Sequence, residues 1–523
     1  MSNRLVKILL GLAVVAVVFA ALPWKPFELD RYFVPKELVL NAVALILAGM
    51  LVFRRRTLSY DGVDALLVLF LLWSAASAVF ATNYWLAQRA LGLSVASALV
   101  FWGARKIGAT GSYRLLIIAV GVATVCAALT ALAQAYGVDS EYFSLNRAPG
   151  GTFGNRNSVA HLAAIGLPAL VWSTVTARRS IGALLGSLGG SLVAAALVLS
   201  RSRAAWLAVA ATVVVLALPV LASRRYWSTP DVGGRFSRLL LAVAIGAILA
   251  TVLPNHLNWK SDSPYLDSAR GMINYSKGSG RGRVAQYQHS LNMAASNPVF
   301  GVGPGNWPVG YVRFAPRNDR SMADDGMTAN PWPSSDWVAY LSERGLIAAL
   351  ALLGVFALLF FGAFRGWGDQ TDGDTVLVRL VLAGTIVAAL AVSAFDAVLL
   401  LAAPALLIWT VLGAASGPRR FGRTVSPSGG TWALIAAATM LVAVASLTRS
   451  VTQTIAMSSV GTGGHTAGWL SGAALDPGSY RINLKVAQLE ARRGKCGLAR
   501  AYAQRAANLF PNAPAPKRVL RGC

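Results

Sequence analysis

The feature that most limits what this chain can fold into is a succession of apolar runs, each of about 17 to 22 residues, parted by short polar or basic stretches. A helix of that length crosses the hydrocarbon of a bilayer, where every backbone polar group must be satisfied within the protein. Charged residues make up 13% of the 523 and apolar ones 55%, against about a quarter charged in an ordinary soluble domain. A soluble multidomain enzyme is thereby excluded. So is disorder, which requires few apolar residues and dense like charge.

The runs predict an all-α fold: a polytopic membrane helical bundle of about thirteen transmembrane helices. The spans fall near residues 5–22, 38–53, 65–80, 91–103, 115–135, 159–175, 184–199, 204–221, 239–253, 346–364, 376–393, 397–415 and 431–447. The run at 91–103 is the weakest. With Arg4 and Lys7 in the cytoplasm, every second loop is basic, at Arg54 to Arg56, Arg105 with Lys106, Arg178 with Arg179, Arg224 with Arg225, and Arg419 with Arg420 and Arg423. Short basic loops stay cytoplasmic. The chain then divides into an N-terminal transmembrane bundle (1–253), a periplasmic loop (254–344), C-terminal transmembrane helices (345–448) and a periplasmic tail (449–523). The first run, ending in Ala20 and Ala21, can also be read as a cleavable signal peptide, which would leave the later loops on the same sides.

A net charge of +26 does not call for nucleic acid in such a chain, because Lys and Arg in a membrane protein first reflect orientation and anionic headgroups. The Arg residues outside the cytoplasmic loops can serve anionic lipid, or a phosphorylated substrate embedded in the membrane. Three segments favour the substrate. In Ser200-Arg201-Ser202-Arg203-Ala204-Ala205-Trp206, a tight hairpin holds two guanidiniums at the membrane edge. Guanidinium pairs with phosphate in bidentate fashion and does not lose its proton. Arg281 and Arg283 precede Tyr287 and His289 on a stretch of helical spacing, which can alternatively be the positive face of a surface helix. Asn297 to Asn306, with Gly301, Gly303 and Gly305, can form a backbone anion nest or simply a structural turn.

In this order, these segments resemble the O-antigen ligase family, which shares its core with lipid-linked polysaccharide polymerases and protein O-oligosaccharyltransferases. The landmarks are Gly151 to Asn157 entering a span, Ser202 to Trp206, Arg283, Asn297-Pro298 to Gly305-Asn306, and Tyr340 to Leu346 with Glu343 and Gly345. The resemblance covers residues 60–415 or so. It implies transfer of a glycan from an undecaprenyl-diphosphate carrier to an acceptor hydroxyl on a glycan, lipid or protein, at the periplasmic face of the bacterial inner membrane and without metal or other cofactor. By carry-over, Arg203 and Arg283 act on the diphosphate, with Arg201, Arg281, His289, Gly303, Gly305, Asn306, Asn157 and His161 as candidate substrate-binding residues.

One departure stands out. The family has a His about nine residues before the Glu, where this chain has Ser334, and a serine is no base near neutral pH. Asp336, two residues on, is the candidate replacement base, or else a helix cap. His289 can also reach the site. His161 is polar within a span, which makes it either functional or a partner to a neighbouring helix. His256 and His465 carry no motif.

In the tail, Ala487, Gly494, Ala499, Ala506 and Pro511, with Tyr502 between them, fall at the spacings of one tetratricopeptide repeat. Such a repeat docks on the outer loop or on a partner, for example another polysaccharide assembly protein. Cys126 lies in an apolar run, so Cys496 and Cys523 either pair in an oxidising compartment or remain free thiols. Two other readings stand beside the glycosyltransferase: a polysaccharide or lipid transporter, although no repeated halves are visible, and a non-catalytic assembly subunit, which the missing His keeps open.

Overall fold

The computed structural model describes residues 3–53, 58–224, 230–259, 261–271, 278–316, 319, 321–323, 327–365, 373–417, 422–463 and 466–523. Arg54 to Arg56, Arg225, Arg419, Arg420 and His465 lie outside the described residues.

The fold is all-α and polytopic. Its helices in the first half are α1 (Asn3–Phe19), α2 (Asp30–Val52), α3 (Gly62–Ser77), α4 (Tyr84–Ile107), α5 (Tyr113–Ala135), α6 (Arg156–Val175), α7 (Ser180–Ser200), α8 (Arg203–Ala222) and α9 (Pro230–Val252). Short α10 (Pro264–Arg270), α11 (Gly278–Ser296) and α12 (Trp307–Tyr311) follow, then α13 (Asp336–Phe364), α14 (Gly373–Ser393), α15 (Ala402–Ala415) and α16 (Gly429–Gly463). The tail forms α17 (Thr466–Leu475), α18 (Tyr480–Arg492), α19 (Cys496–Leu509) and α20 (Pro514–Gly522).

Ten helical segments among the described residues are long and apolar enough to cross a membrane. One of them, Tyr84–Ala135, contains both α4 and α5; Gly111 at φ 77° marks the bend. Two further apolar helices are shorter, α1 with 17 residues and α15 with 14. The weak run at 91–103 becomes the 24-residue α4 because Asn83 caps it, accepting from Trp85 and Leu86 N–H groups at 3.1 and 3.2 Å.

Helices alternate in direction, so the connections gather at two ends. At one end Arg105 bonds Asp61, which with Asp64 forms the capping box of α3. There too Tyr113 meets Asp374, Arg235 donates to the Ala177 carbonyl, and an exposed two-stranded antiparallel ribbon pairs Leu58–Tyr60 with Arg423–Val425. At the opposite end lie the α7–α8 hairpin, the described residues of 254–335, the α14–α15 turn and the described residues of the tail. Helices α6, α14 and α15 bury most of their surface, whereas α8 and α9 leave Val214, Leu218, Leu241 and Ile248 exposed, as lipid-facing helices do.

The last span differs from the expected 431–447. Helix α16 continues to Gly463 because its polar extension satisfies itself: Ser450, Thr454, Ser458 and Thr462 each bond the carbonyl four residues back. The tail packs on that extension through Met457, Val460, Ile482 and Val486. Ala487, Ala499 and Ala506 are fully buried, and Cys496 is disulfide-bonded to Cys523 with Cα atoms 5.2 Å apart.

Candidate active site

The α7–α8 hairpin is built by Arg201, whose φ of 54° turns the chain in the left-handed region, and by Ser200, whose hydroxyl accepts from the Ser202 N–H at 3.2 Å. Trp206 ties the hairpin back through Nε1 to the Leu197 carbonyl at 2.9 Å. Both guanidiniums then reach α10. Arg201 Nε donates to Ser268 Oγ at 2.9 Å and its plane lies over Trp259, 4.8 Å from the ring centre. Arg203 donates to the Gly271 carbonyl just beyond α10. Burial lowers the proton affinity of Arg201, an effect that Asp267 opposes; a guanidinium so placed stays cationic near neutrality.

Between the hairpin and α11 lies a chain of polar side chains. Ser202 Oγ is 3.4 Å from His161 Nε2, His161 Nδ1 is 4.0 Å from Asp396 Oδ2, and the same Asp396 oxygen is 4.0 Å from Arg283 NH2. Ser202 and His161 are each 2% exposed. Asp396 and Arg283 open partly to solvent, with 24% of each side chain exposed. Asn157 lies one helical turn before His161 on the same face of α6, its N–H capped by Asn155. A narrow apolar cavity lined by Phe33, Phe153, Ala397 and Pro404 abuts His161.

The cluster is held by contacts that short-range pattern does not reveal. Tyr287, one turn after Arg283 on α11, reaches the Ser334 carbonyl at 2.5 Å and the Ala394 carbonyl at 3.2 Å. Gln286 accepts from the Ser334 N–H at 2.7 Å. The turn carrying Asp396 is therefore fastened to the helix carrying Arg283.

Three expectations change here. Asp336 is completely buried, and its carboxylate accepts from the N–H groups of Val398, Leu399 and Leu400 at 2.9, 2.9 and 3.2 Å. It holds the turn that precedes a different helix, α15, while Ser335, at 3.5 Å, caps the helix that Asp336 begins. With its oxygens so engaged it braces the Asp396 turn and does not face Arg283 as a free base. The glycine-rich loop is likewise committed. Glu343, 2% exposed, takes the Gly305 N–H at 2.8 Å and the Trp307 N–H at 3.1 Å, and its carbonyl takes the Gly303 N–H at 2.8 Å. Asn306 exchanges side-chain bonds with the Asn83 backbone at 2.7 and 3.1 Å. The nest holds a carboxylate of this chain, so Gly303, Gly305 and Asn306 build the scaffold. Gly345, at φ 80°, kinks α13 so that the backbone of Val299 and Phe300 can pack against it, with Leu346 N–H donating to the Pro298 carbonyl at 2.9 Å. Finally, His289 pairs with Asp319 at 3.7 Å beside Tyr311, which also bonds Asp319, and Arg281 is exposed at the start of α11. Two residues along a helix put side chains on nearly opposite faces, so Arg281 does not join Arg283. Burial pushes the Tyr311 phenol above its ordinary value.

Asp396 is the residue that sequence reasoning missed. Its signal was present: a single carboxylate between two apolar runs at 376–393 and 397–415, where an ionisable group is costly unless it has a use. Arg344 was missed too. It is buried, donating to Ser74 and Ser94 hydroxyls at 3.1 and 2.8 Å beneath the Tyr340 ring.

Residues 188–353 match the family model described as O-Antigen ligase. The matched segment begins within α7, contains Arg201, Arg203, Arg283 and the glycine-rich loop, and ends within α13. No curated protein matches the chain. A membrane protein of helical spans carrying this segment is supported as one that transfers glycosyl groups in polysaccharide biosynthesis.

Proposed function

We propose that this protein moves a glycan from an undecaprenyl-diphosphate carrier to an acceptor hydroxyl at the periplasmic face of the bacterial inner membrane, as a ligase or polymerase of surface polysaccharide. The observation that carries the proposal is the Ser202–His161–Asp396–Arg283 relay, which joins the Arg203 hairpin to α11 at one end of the bundle. The exposed apolar faces of α8 and α9 offer the prenyl chain a path to that hairpin.

Transfer is a displacement at the anomeric carbon. The bond from that carbon to the diphosphate oxygen breaks with its electron pair on the oxygen, where Arg203 and Arg283 neutralise the new charge. The acceptor oxygen bonds to the carbon, and its proton passes to the Asp396 carboxylate and then to solvent. His161, buried behind Asp396, orients that carboxylate. The docked tail is the surface offered to assembly partners.

The test is a transfer assay in proteoliposomes with undecaprenyl-diphosphate-linked glycan. Arg203→Ala and Arg283→Ala should each lower turnover by at least 100-fold, on the scale of losing one oxyanion-stabilising group, about 10²–10³. Asp396→Asn should lower kcat by about 10²–10⁴ with little change in KM. Unchanged transfer in both arginine variants would refute the proposal. Glycan crossing the bilayer without a covalent product would make the protein a transporter instead.

A further inference from the structure

From Tyr480 to Cys523 the chain carries ten Lys and Arg and one acidic side chain, Glu490. That carboxylate is 1% exposed and already pairs with Arg493 at 3.5 Å. Eight of the ten cations are exposed, among them Arg492 and Lys495 at the α18–α19 turn, Arg500 on α19, and Lys517, Arg518 and Arg521 on α20. The disulfide joins them into one surface. Cys496 opens α19 and Cys523 follows α20, their Cα atoms are 5.2 Å apart, and Arg500 donates to the Cys523 carbonyl. Like charges one turn apart, as Lys517 and Arg521 are, destabilise a helix. Among the described residues of these helices no acidic side chain is exposed to relieve that repulsion, so an arriving anion would relieve it.

The apolar side of the same helices is taken up by the bundle. Ile482 and Val486 pack with Met457 and Val460 of α16 and with Val34 of α2, while Leu484 and Phe510 pack with Val309 and Met327. The basic side is what this docking leaves to water. Met457 and Val460 stand about 15–20 Å along α16 from Leu447, where the apolar run ends. Headgroup charge fades within about 8–10 Å, so the face looks past the lipid surface into the aqueous compartment. A protein partner needs an apolar or aromatic centre from which water is excluded. Among the described residues of α18–α20, the one large apolar side chain exposed is Leu498, at 46%.

We propose that the exposed side of α18–α20 binds a polyanionic glycan, a chain whose sugars carry carboxylate or phosphate. Such a ligand needs no apolar anchor. Its charges recur along an extended strand, and guanidinium pairs with either group through two parallel bonds. Naming the polyanion as a glycan rests on the transfer reaction proposed above, which puts polysaccharide at this end of the bundle; the cationic face does not rest on it.

Full-length protein in phosphatidylcholine nanodiscs is titrated with fluorescent oligogalacturonate, a carboxylate-bearing glycan. It is compared with Lys517→Gln/Arg518→Gln/Arg521→Gln and with Arg492→Gln/Lys495→Gln, each checked for wild-type unfolding temperature. Arg178→Gln/Arg179→Gln removes exposed charge at the opposite end of the bundle and controls for net charge. Each tail variant should bind at least tenfold more weakly than wild type, with the control within twofold. Affinity should fall at least tenfold between about 50 and 200 mM salt, as counterion release from a charged chain requires, and neutral dextran oligosaccharide should not bind. A wild type that does not bind oligogalacturonate, folded tail variants with unaltered binding, or an equal loss in the control would overturn the proposal. So would dextran binding as tightly as oligogalacturonate. Poly-glutamate bound at least tenfold more tightly would make the partner an acidic protein, and capture of phosphatidylglycerol vesicles in place of the oligosaccharide would make it lipid; either result overturns the glycan. A wild type that binds oligogalacturonate through the tail yet transfers no glycan in proteoliposomes would uphold the surface and refute the transfer reaction.

Discussion

Replacing Glu343 by Gln changes one atom and tests the assignment of the glycine-rich loop. The carboxylate accepts two buried N–H groups, from Gly305 at 2.8 Å and Trp307 at 3.1 Å. Bonds to a charged group contribute about 1.5–3 kcal/mol each, against about 1 kcal/mol for neutral ones. The amide oxygen can keep one bond, now neutral, while its NH2 faces the other N–H and leaves it without an acceptor, at about 1–3 kcal/mol. The two losses together predict destabilisation of about 2–4 kcal/mol. Reversible unfolding in mixed micelles, followed by tryptophan fluorescence, measures it; Trp307 is completely buried beside this carboxylate and reports the event directly. Donor KM, measured at a temperature where the variant is still folded, should not move. A variant within about 0.5 kcal/mol of wild type, the range of an ordinary surface change, would refute the reasoning. So would a folded variant that had lost the donor, because the loop amides would then belong to substrate.

Three further outcomes follow from the same contacts. Asp336→Asn should cost about 1–3 kcal/mol by orphaning one of the three N–H groups it caps, and should lower kcat through the displaced Asp396 while donor KM stays constant; Asp336→Asn with unaltered stability and kcat would remove its bracing role. Arg201→Lys gives up the Trp259 stacking and the Ser268 bond, so hydrogen exchange in α10 should quicken about tenfold, on the scale of a cation–π contact of about 0.5–2 kcal/mol; unchanged protection would contradict the hairpin assignment. Reduction of the Cys496–Cys523 bridge, 27 residues apart, should destabilise the tail by about 3.5 kcal/mol in the chain-entropy account. Limited proteolysis should then cut the tail and spare the bundle.

The amino-acid sequence alone determined the all-helical membrane architecture, because apolar runs of bilayer length leave the backbone few other ways to satisfy itself. It also pointed to Arg203 and Arg283, through the resemblance of their segments to the O-antigen ligase family. It could not say which polar groups would spend their hydrogen bonds on the protein itself. Gly303, Gly305 and Asn306 read as a nest for a substrate anion, and Glu343, remote in sequence, fills that nest. Asp336 read as a base or a local cap, and it holds residues 398–400 instead. Asp396, conversely, joins His161 and Arg283 only when α6, α11 and the α14–α15 turn converge. Helical periodicity is a local property that a few turns of sequence express, whereas the fate of a buried donor or carboxylate depends on whichever distant segment packs against it, and tertiary structure alone decides that.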